Sequence, residues 1–201
     1  MISDKPYSPA CDRNREPIAA VILPLFSCIE TVLEIGSGTA QHAVYFGGLM
    51  PHLRWQTSDL ACNHAGMRKW IQEAALPNVL PPLSLNVDDE FWPVSHVDAV
   101  FTANTLHIAA WTSVQNMFTG VSRLLDRGGL FCIYGPFRYH GLHTSESNAC
   151  FDASLRLNDS SSGIRDIDDV LDLARRDLFF LENDYRMPAN NRLLVFRKTG
   201  R

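Results

Sequence analysis

Residues 31–42 read Thr31-Val32-Leu33-Glu34-Ile35-Gly36-Ser37-Gly38-Thr39-Ala40-Gln41-His42. A β-branched, apolar run stops at a glycine, and a second glycine follows two positions later. Residues that tolerate a helix come next, and Pro51 ends that segment. The order predicts a strand, a tight turn and a helix whose first amides point back over the strand end. The next strand, Leu53 to Asp59, ends on an acid 21 residues after Gly38. A strand-ending G-x-G followed by a strand-ending carboxylate is a nucleoside-binding arrangement, because the acid can accept hydrogen bonds from ribose hydroxyls.

Outward from this unit, short apolar runs alternate with amphipathic segments, the pattern of βαβ units and a mostly parallel sheet. A leading helix is expected over Arg13–Phe26, and others over 40–49 and 63–75. Leu83–Val87 and Val97–Ala103 read as the third and fourth strands. Thr112 opens a helix with Val114, Met117, Phe118, Val121, Leu124 and Leu125 on one face. Arg127-Gly128-Gly129 turns the chain into Leu130–Tyr134, apolar throughout, as a strand buried on both faces must be. Helices over 147–157 and 168–176 follow, then Leu178–Tyr185 and Asn191–Arg197 as an antiparallel pair at the sheet edge. The expected fold is α/β: a Rossmann-like, doubly wound, seven-stranded sheet, mostly parallel, with helices on both faces.

Length and composition set the frame. At 201 residues and 46% hydrophobic content the chain is sized for one domain. Area scaling lets it bury roughly 70% of its extended surface without staples or metals. The net charge of −4 makes nucleic acid an unexpected partner. Five scattered cysteines without a C-x-x-C pair predict reduced thiols and neither a disulfide framework nor a zinc site. The apolar run 18–26 is too short for a membrane span and is preceded by acids, so a cytoplasmic, membrane-free protein is expected.

Two positions narrow the nucleoside. A dinucleotide fingerprint wants a third glycine at position 41, where this chain has Gln41. Glu34, two residues before the first glycine, would crowd a dianionic pyrophosphate. Both residues suit S-adenosylmethionine, which has no phosphate and carries cationic sulfonium and ammonium groups. An NAD(P)-dependent oxidoreductase is disfavoured on the same grounds and by the lack of a Tyr-x-x-x-Lys pair. A non-catalytic module that keeps the fold to bind cofactor or protein stays open as an alternative.

Val32–Thr39 resembles motif I of the class I methyltransferases, and Leu124–Leu130 resembles their helix–GG–fifth-strand junction. Nearly the whole chain resembles the DUF938 family of methyltransferase-like proteins. The match is carried by Ser8–Asn14, Gly36–Ala43, Gly135-Pro136-Phe137, Phe151–Arg156, Gly163–Asp166 and Met187–Asn191. The resemblance implies S-adenosylmethionine as cofactor, S-adenosylhomocysteine as product, and a single domain over 1–201. Asn86 stands where the family more often has Asp, and Ser160–Ser162 where relatives carry Pro and Trp.

From these readings, cofactor contacts are expected from Glu34, Gly36, Ser37, Gly38, Thr39, His42, Asp59, Leu60, Asn86, Val87 and Asn104, and from Arg13 and Asn14 on the leading helix. Asp59 would hold the ribose, Asn86 and Val87 would frame adenine, and Glu34 would fix the loop and the cationic methionine end. Methyl transfer from a sulfonium is an in-line displacement, so positioning supplies much of the rate. His107, His143 and Tyr134 are the candidates for a base or orienting group. The segment 135–165 is expected as an inserted lid, with Tyr139, His140, Ser147, Asn148 and Arg165 facing a small-molecule acceptor, and 1–27 as a second lid. His140 and His143 lack the flanking ligands a metal needs, and no metal is expected. A monomer or homodimer is expected.

Overall fold

The structure, a computed structural model, describes residues 5–200; the first four positions of the expected N-terminal lid, and Arg201, lie outside them. In chain order the elements are α1 (Pro9–Leu25), β1 (Thr31–Ile35), α2 (Gln41–Leu49), β2 (Arg54–Asp59), α3 (His64–Ala74), β3 (Val79–Ser84), β4 (Ala99–Ala103) and α4 (Trp111–Leu124). They continue with β5 (Leu130–Tyr139), β6 (Leu142–His143), α5 (Glu146–Asn158), β7 (Arg165–Asp166), α6 (Ile167–Arg176), β8 (Phe179–Arg186) and β9 (Asn191–Lys198).

The sheet order is β3-β2-β1-β4-β5-β9-β8, parallel from β3 to β5, with β9 antiparallel to both β5 and β8. That path has the expected seven strands, mostly parallel, with the antiparallel β8–β9 pair at its edge. The count among the described residues is nine, because the two-residue strands β6 and β7 pair with the far end of β5. Strand order reverses between β1 and β4, the place where a doubly wound sheet opens a crevice.

Alternate side chains of each central strand feed two cores. Leu33 and Ile35 of β1, with Phe131 and Ile133 of β5, pack against α4 and α6. Val32, Trp55, Phe101, Cys132 and Tyr134 pack on the other face against α1, α2 and α3, around a group of rings formed by Phe46, Trp55 and Phe101. By contrast, α5 buries only Asn148 and Asp152, so polar contacts dock it.

Three boundaries differ from expectation. The third strand is Val79–Ser84, not 83–87. Pro81 and Pro82 argue against a strand only in a sheet interior. At this edge their missing N–H groups cost no ladder bond, and a register shift between Gln56 and Ser58 accommodates them. Side chains replace part of the ladder, since Thr57 Oγ1 donates to Leu80 O and Gln56 Nε2 to Pro81 O. Helix α1 starts four residues early because Pro9 stands where a helix N–H has no partner anyway. Strand β5 runs on to Tyr139, with Gly135–Phe137 fully inside it; the expected lid 135–165 therefore begins within the sheet.

Asp98 shows how a polar side chain sets the sheet's lower edge. Its Oδ2 accepts from Thr31 N (2.8 Å), Thr31 Oγ1 (2.8 Å) and Glu30 N (3.1 Å), tying the start of β1 to the residue before β4. Burial alone would raise its pKa, but these donors outweigh burial and hold it below the usual carboxylate value. Its contribution is therefore present above the unfolded carboxylate pKa and is lost as pH falls through the folded one. Asp98→Ala should cost ~1 kcal/mol at pH 7 and little at pH 3, read from urea midpoints. An equal loss at both pH values would remove Asp98 from this role.

Candidate functional site

A cavity of about 930 Å³ opens at the carboxyl ends of β1, β2 and β4, well within the range for a small-molecule site. The turn after β1 forms its floor. Gly36 and Gly38 have φ of +69° and +58°, and Ala40 follows at +66° before α2 begins. A Cβ on Gly36 would stand 2.9 Å from Thr105 Oγ1, which itself accepts from Thr102 Oγ1. Gly36→Ala therefore meets strain in φ and a side chain already engaged. It should lower stability by ~1–2 kcal/mol, measured by chemical denaturation; an unchanged midpoint would show that the loop adapts.

Asp59 holds the turn closed. Its Oδ2 accepts from Gly38 N, and its Oδ1 from Leu60 N and Asn63 Nδ2, all at 2.7 Å. Three of roughly four lone-pair positions on the carboxylate are thus taken by the protein. Ser37 N donates to Ser58 O, and Ser58 Oγ to Glu34 O, so the loop is tied to β2 at two further points.

At the other end of the cavity Leu85, Val87, Ile108, Ala109 and Met117 form an apolar slot. Asn86 lies beside it, with its Oδ1 accepting from Asp88 N at 3.1 Å. Asp88 also lines the cavity and is bound by Ser113 Oγ and Asn116 Nδ2 of α4. The N-terminal segment forms part of the rim through Pro6, Ser8 and Cys11. Gln41 anchors it: its Oε1 accepts from Ser8 N (2.6 Å) and Thr39 Oγ1 (3.0 Å).

Of the expected cofactor contacts, Gly36, Ser37, Gly38, Thr39, His42, Asp59, Leu60, Asn86, Val87 and Asn104 line this cavity. Glu34, Asn14 and Arg13 do not. Glu34 is 1% exposed and lies behind the loop, its carboxylate accepting from Trp55 Nε1 at 3.0 Å. Burial pushes its pKa up to about 7 against the hydrogen bonds from Trp55 and Ser37. Asn14 is on the buried face of α1, where its Oδ1 accepts from His42 Nε2 at 2.7 Å, leaving Nδ1 of that ring 3.8 Å from Cys11 Sγ. Burial, and then Arg15, lowers the His42 pKa to about 4. Arg13 is on the outer side of α1, away from the cavity wall.

Of the candidates for chemistry, Tyr134 lies on β5, His107 in the loop after β4 and His143 on β6. Tyr134 is buried and bonded to Asn14 and Asn191, with burial raising its pKa. His107 is 5% exposed, set edge-on to Phe151 at 5.4 Å, and its pKa is lowered to about 4 by burial and then by Arg165. Its neighbours Thr105 and Ile108 line the cavity, but its own ring does not. His143 Nε2 stands 3.5 Å from Asp152 Oδ2.

The expected acceptor contacts do not line the cavity, and each is engaged within the protein. Arg165 clamps the loop after β4 by donating to the carbonyls of Leu106, Ala109 and Ser161. Asn148 Nδ2 donates to Thr144 Oγ1 and Asn190 O. Tyr139 donates to Asp184, and Ser147 bonds Ser145 at the start of α5. His140 is on the open surface, against Asp168. An arginine in a lid segment and an arginine stapling a loop look alike in sequence. Only the backbone carbonyls brought around Arg165 by the fold separate them.

Sequence reasoning missed Cys11, Lys69, Asp88 and Thr105 on the cavity wall. Thr105 stands next to Asn104, and Cys11 lies inside the Ser8–Asn14 block, so both had a signal. Lys69 and Asp88 had none. Among the described residues no cluster of three or more His, Cys, Asp or Glu is placed to hold a metal ion. No helix among them is long and apolar enough to cross a membrane.

A family model described as "Protein of unknown function (DUF938)" matches residues 5–198. Among solved structures, an O-methyltransferase family protein from Burkholderia thailandensis superposes with a TM-score of 0.82 at 18% identity, covering 95% of this chain and 58% of its own. The S-adenosylmethionine-dependent methyltransferase SibL in its apo form matches with a TM-score of 0.79 at 19% identity over 94% of this chain and 56% of its own. PigF with SAH matches with a TM-score of 0.77 at 17% identity over 93% and 56%. The chain thus has the methyltransferase fold and spans little more than half the length of these structures.

Proposed function

The chain belongs to the DUF938 family, and from that premise we propose that it binds S-adenosylmethionine and methylates a small-molecule acceptor. The observation that carries this reading is the Asp59 carboxylate, held by Gly38 N and Asn63 Nδ2, at the floor of a cavity set at the strand-order reversal. An apolar slot for a nucleobase lies at one end, and a glycine turn at the other. Gln41 separates this reading from dinucleotide binding. Its side chain fills the place of the third glycine, which a dinucleotide fingerprint uses for close helix–strand packing, and is committed to Ser8 and Thr39. The acids around the cavity, Asp59 and Asp88, suit a cationic ligand.

When bound, S-adenosylmethionine supplies an electrophilic methyl group on a sulfonium. The protein's part is to align the two reactants and keep water out. We assign Gly36–Thr39 to the methionine portion, Asp59 with Asn63 to the ribose, and Leu85, Asn86, Val87 and Met117 to the adenine. Glu34 acts through the loop, since its carboxylate lies behind the cavity wall. His107 follows Asn104 and Thr105 at the cavity's edge; its low pKa keeps it neutral at pH 7, able to accept a hydrogen bond from an acceptor's proton. Within a single domain, segment 5–27 acts as one lid at the cavity rim, and the segment from 140 to 165, beyond the end of β5, as the other.

Calorimetry with S-adenosylmethionine, S-adenosylhomocysteine and NAD tests the reading. Both adenosyl compounds are expected to bind and NAD is not. Binding of NAD alone would sink it.

A further inference from the structure

Among the described residues, three buried side-chain polar atoms have no hydrogen-bond partner: Arg15 Nε, Arg138 Nε and His143 Nδ1. The last two are neighbours, because Arg138 on β5 and His143 on β6 face each other in the antiparallel register. Opposed residues of such a pair stand ~4.5–5.5 Å apart at Cα, with side chains on one face. Leaving two adjacent polar groups unmatched is costly, so a fold that keeps them invites an explanation.

Arg138 Nε–H is a donor and nothing else. The His143 ring has Nε2 against the Asp152 carboxylate, which places a proton on Nε2 and leaves Nδ1 as the unmatched polar atom of the ring. A hydroxyl, which both donates and accepts, can match it. Asp152 is itself held by Arg156 Nε and by Ile164 N at 2.6 Å, so the ring orientation is set from below. The complementary ligand therefore brings an anionic acceptor to Arg138 and a hydroxyl to His143.

Along β5 the pair lies beyond the cavity. Ala103 at the cavity rim is the register partner of Tyr134, and Arg138 is four residues further along β5, about 13 Å at ~3.3 Å per residue. An arginine side chain spans half of that. His107 sits between, its Nδ1 3.6 Å from where a Cβ of Gly135 would be, with the half-exposed Phe151 ring against it. Helix α5, which covers this region, is docked through Asn148 and Asp152 and sets its Phe151 ring against His107.

We propose that Arg138 and His143 anchor the far end of the acceptor site, and that the acceptor is a small hydroxylated carboxylic acid. Arg138 binds the carboxylate, His143 Nδ1 hydrogen-bonds a hydroxyl, and Asp152 is a positioning residue for His143. The proposal rests on the methyltransferase reading for the word acceptor, but the binding itself does not.

The test uses the full chain and three probes: 3-hydroxybenzoate, benzoate and 3-hydroxybenzamide, each titrated with and without S-adenosylhomocysteine. The first should bind at least tenfold more tightly than the other two. Arg138→Gln should bring 3-hydroxybenzoate to the level of the amide, and His143→Phe to the level of benzoate. Both variants should keep the wild-type S-adenosylhomocysteine affinity, which also reports that they fold. In the wild type, 3-hydroxybenzoate should move the His143 ring resonances and benzoate should move them less. Equal binding of the three probes, or 3-hydroxybenzoate binding undiminished in both variants, overturns the proposal. Selective probe binding without any binding of the adenosyl compound would keep the anion site and reject the methyltransferase reading.

Discussion

Replacing Asp59 by Ala should weaken S-adenosylhomocysteine binding by about one to two orders of magnitude, or ~1–3 kcal/mol. The loss has two sources. A carboxylate that would meet the ribose hydroxyls disappears, and so do the acceptors for Gly38 N, Leu60 N and Asn63 Nδ2. Without them the turn Gly36–Thr39 is no longer held in the shape it needs before ligand arrives, and binding has to supply that order. Asp59→Asn is not a mild substitution here. Both carboxylate oxygens face N–H donors, so whichever position the amide NH2 takes sets donor against donor. Asn is therefore expected to lose nearly as much affinity as Ala, measured by calorimetry at fixed pH and salt. If Asn keeps the wild-type affinity, the carboxylate is not what organises the site.

Glu34→Gln should stabilise the fold by ~2–3 kcal/mol at pH 8 and much less at pH 5. Glu34 is buried beneath the loop with a pKa pushed up to about 7 from an ordinary value of 4.5. Between those two pH values the folded state binds more protons than the unfolded one, so Glu34 takes stability away as pH rises. Above about 7 the penalty is complete. Gln stays neutral throughout, and its carbonyl can still accept from Trp55 Nε1, the bond that Glu34 makes at 3.0 Å. The quantity to measure is the difference between variant and wild type across pH, because Asp98 and other carboxylates drive the wild-type curve the opposite way at low pH. Parallel curves for the two proteins would mean that Glu34 is already solvated or already neutral. A stabilised variant that also binds the adenosyl ligand poorly would show that the fold carries this charge for the ligand's sake.

Both residues stand out in the sequence itself, Glu34 just ahead of the glycine turn and Asp59 at the end of the following strand. Their geometry does not. Position 34 alternates inward on β1, and whether inward means toward the cavity or toward Trp55 depends on β2, with that ring 21 residues away. The third strand is hidden for a related reason: Pro81 and Pro82 break a strand in the middle of a sheet but not at its edge, and edge status is a property of the whole sheet. The candidates between 134 and 165 scatter most. Asn148, Arg165 and Tyr139 have side chains that serve backbone or neighbouring groups as readily as a ligand, and each takes a partner from a segment 42 to 59 residues distant.

The glycine turn, the acid at the end of β2 and the alternation of strands and helices are local matters. Steric limits on φ, the two-residue period of a strand and the 3.6-residue period of a helix write them directly into the chain. They were enough to determine the class of fold, the succession of its strands and helices along the chain, and the strand ends at which the cavity opens. Which polar residues face that cavity, which face away and which are left unmatched was decided by tertiary structure alone. Hydrogen bonds to backbone carbonyls and carboxylates brought from distant segments turn Arg165 into a staple, put Glu34 behind the wall, and leave Arg138 and His143 side by side with unmatched polar atoms.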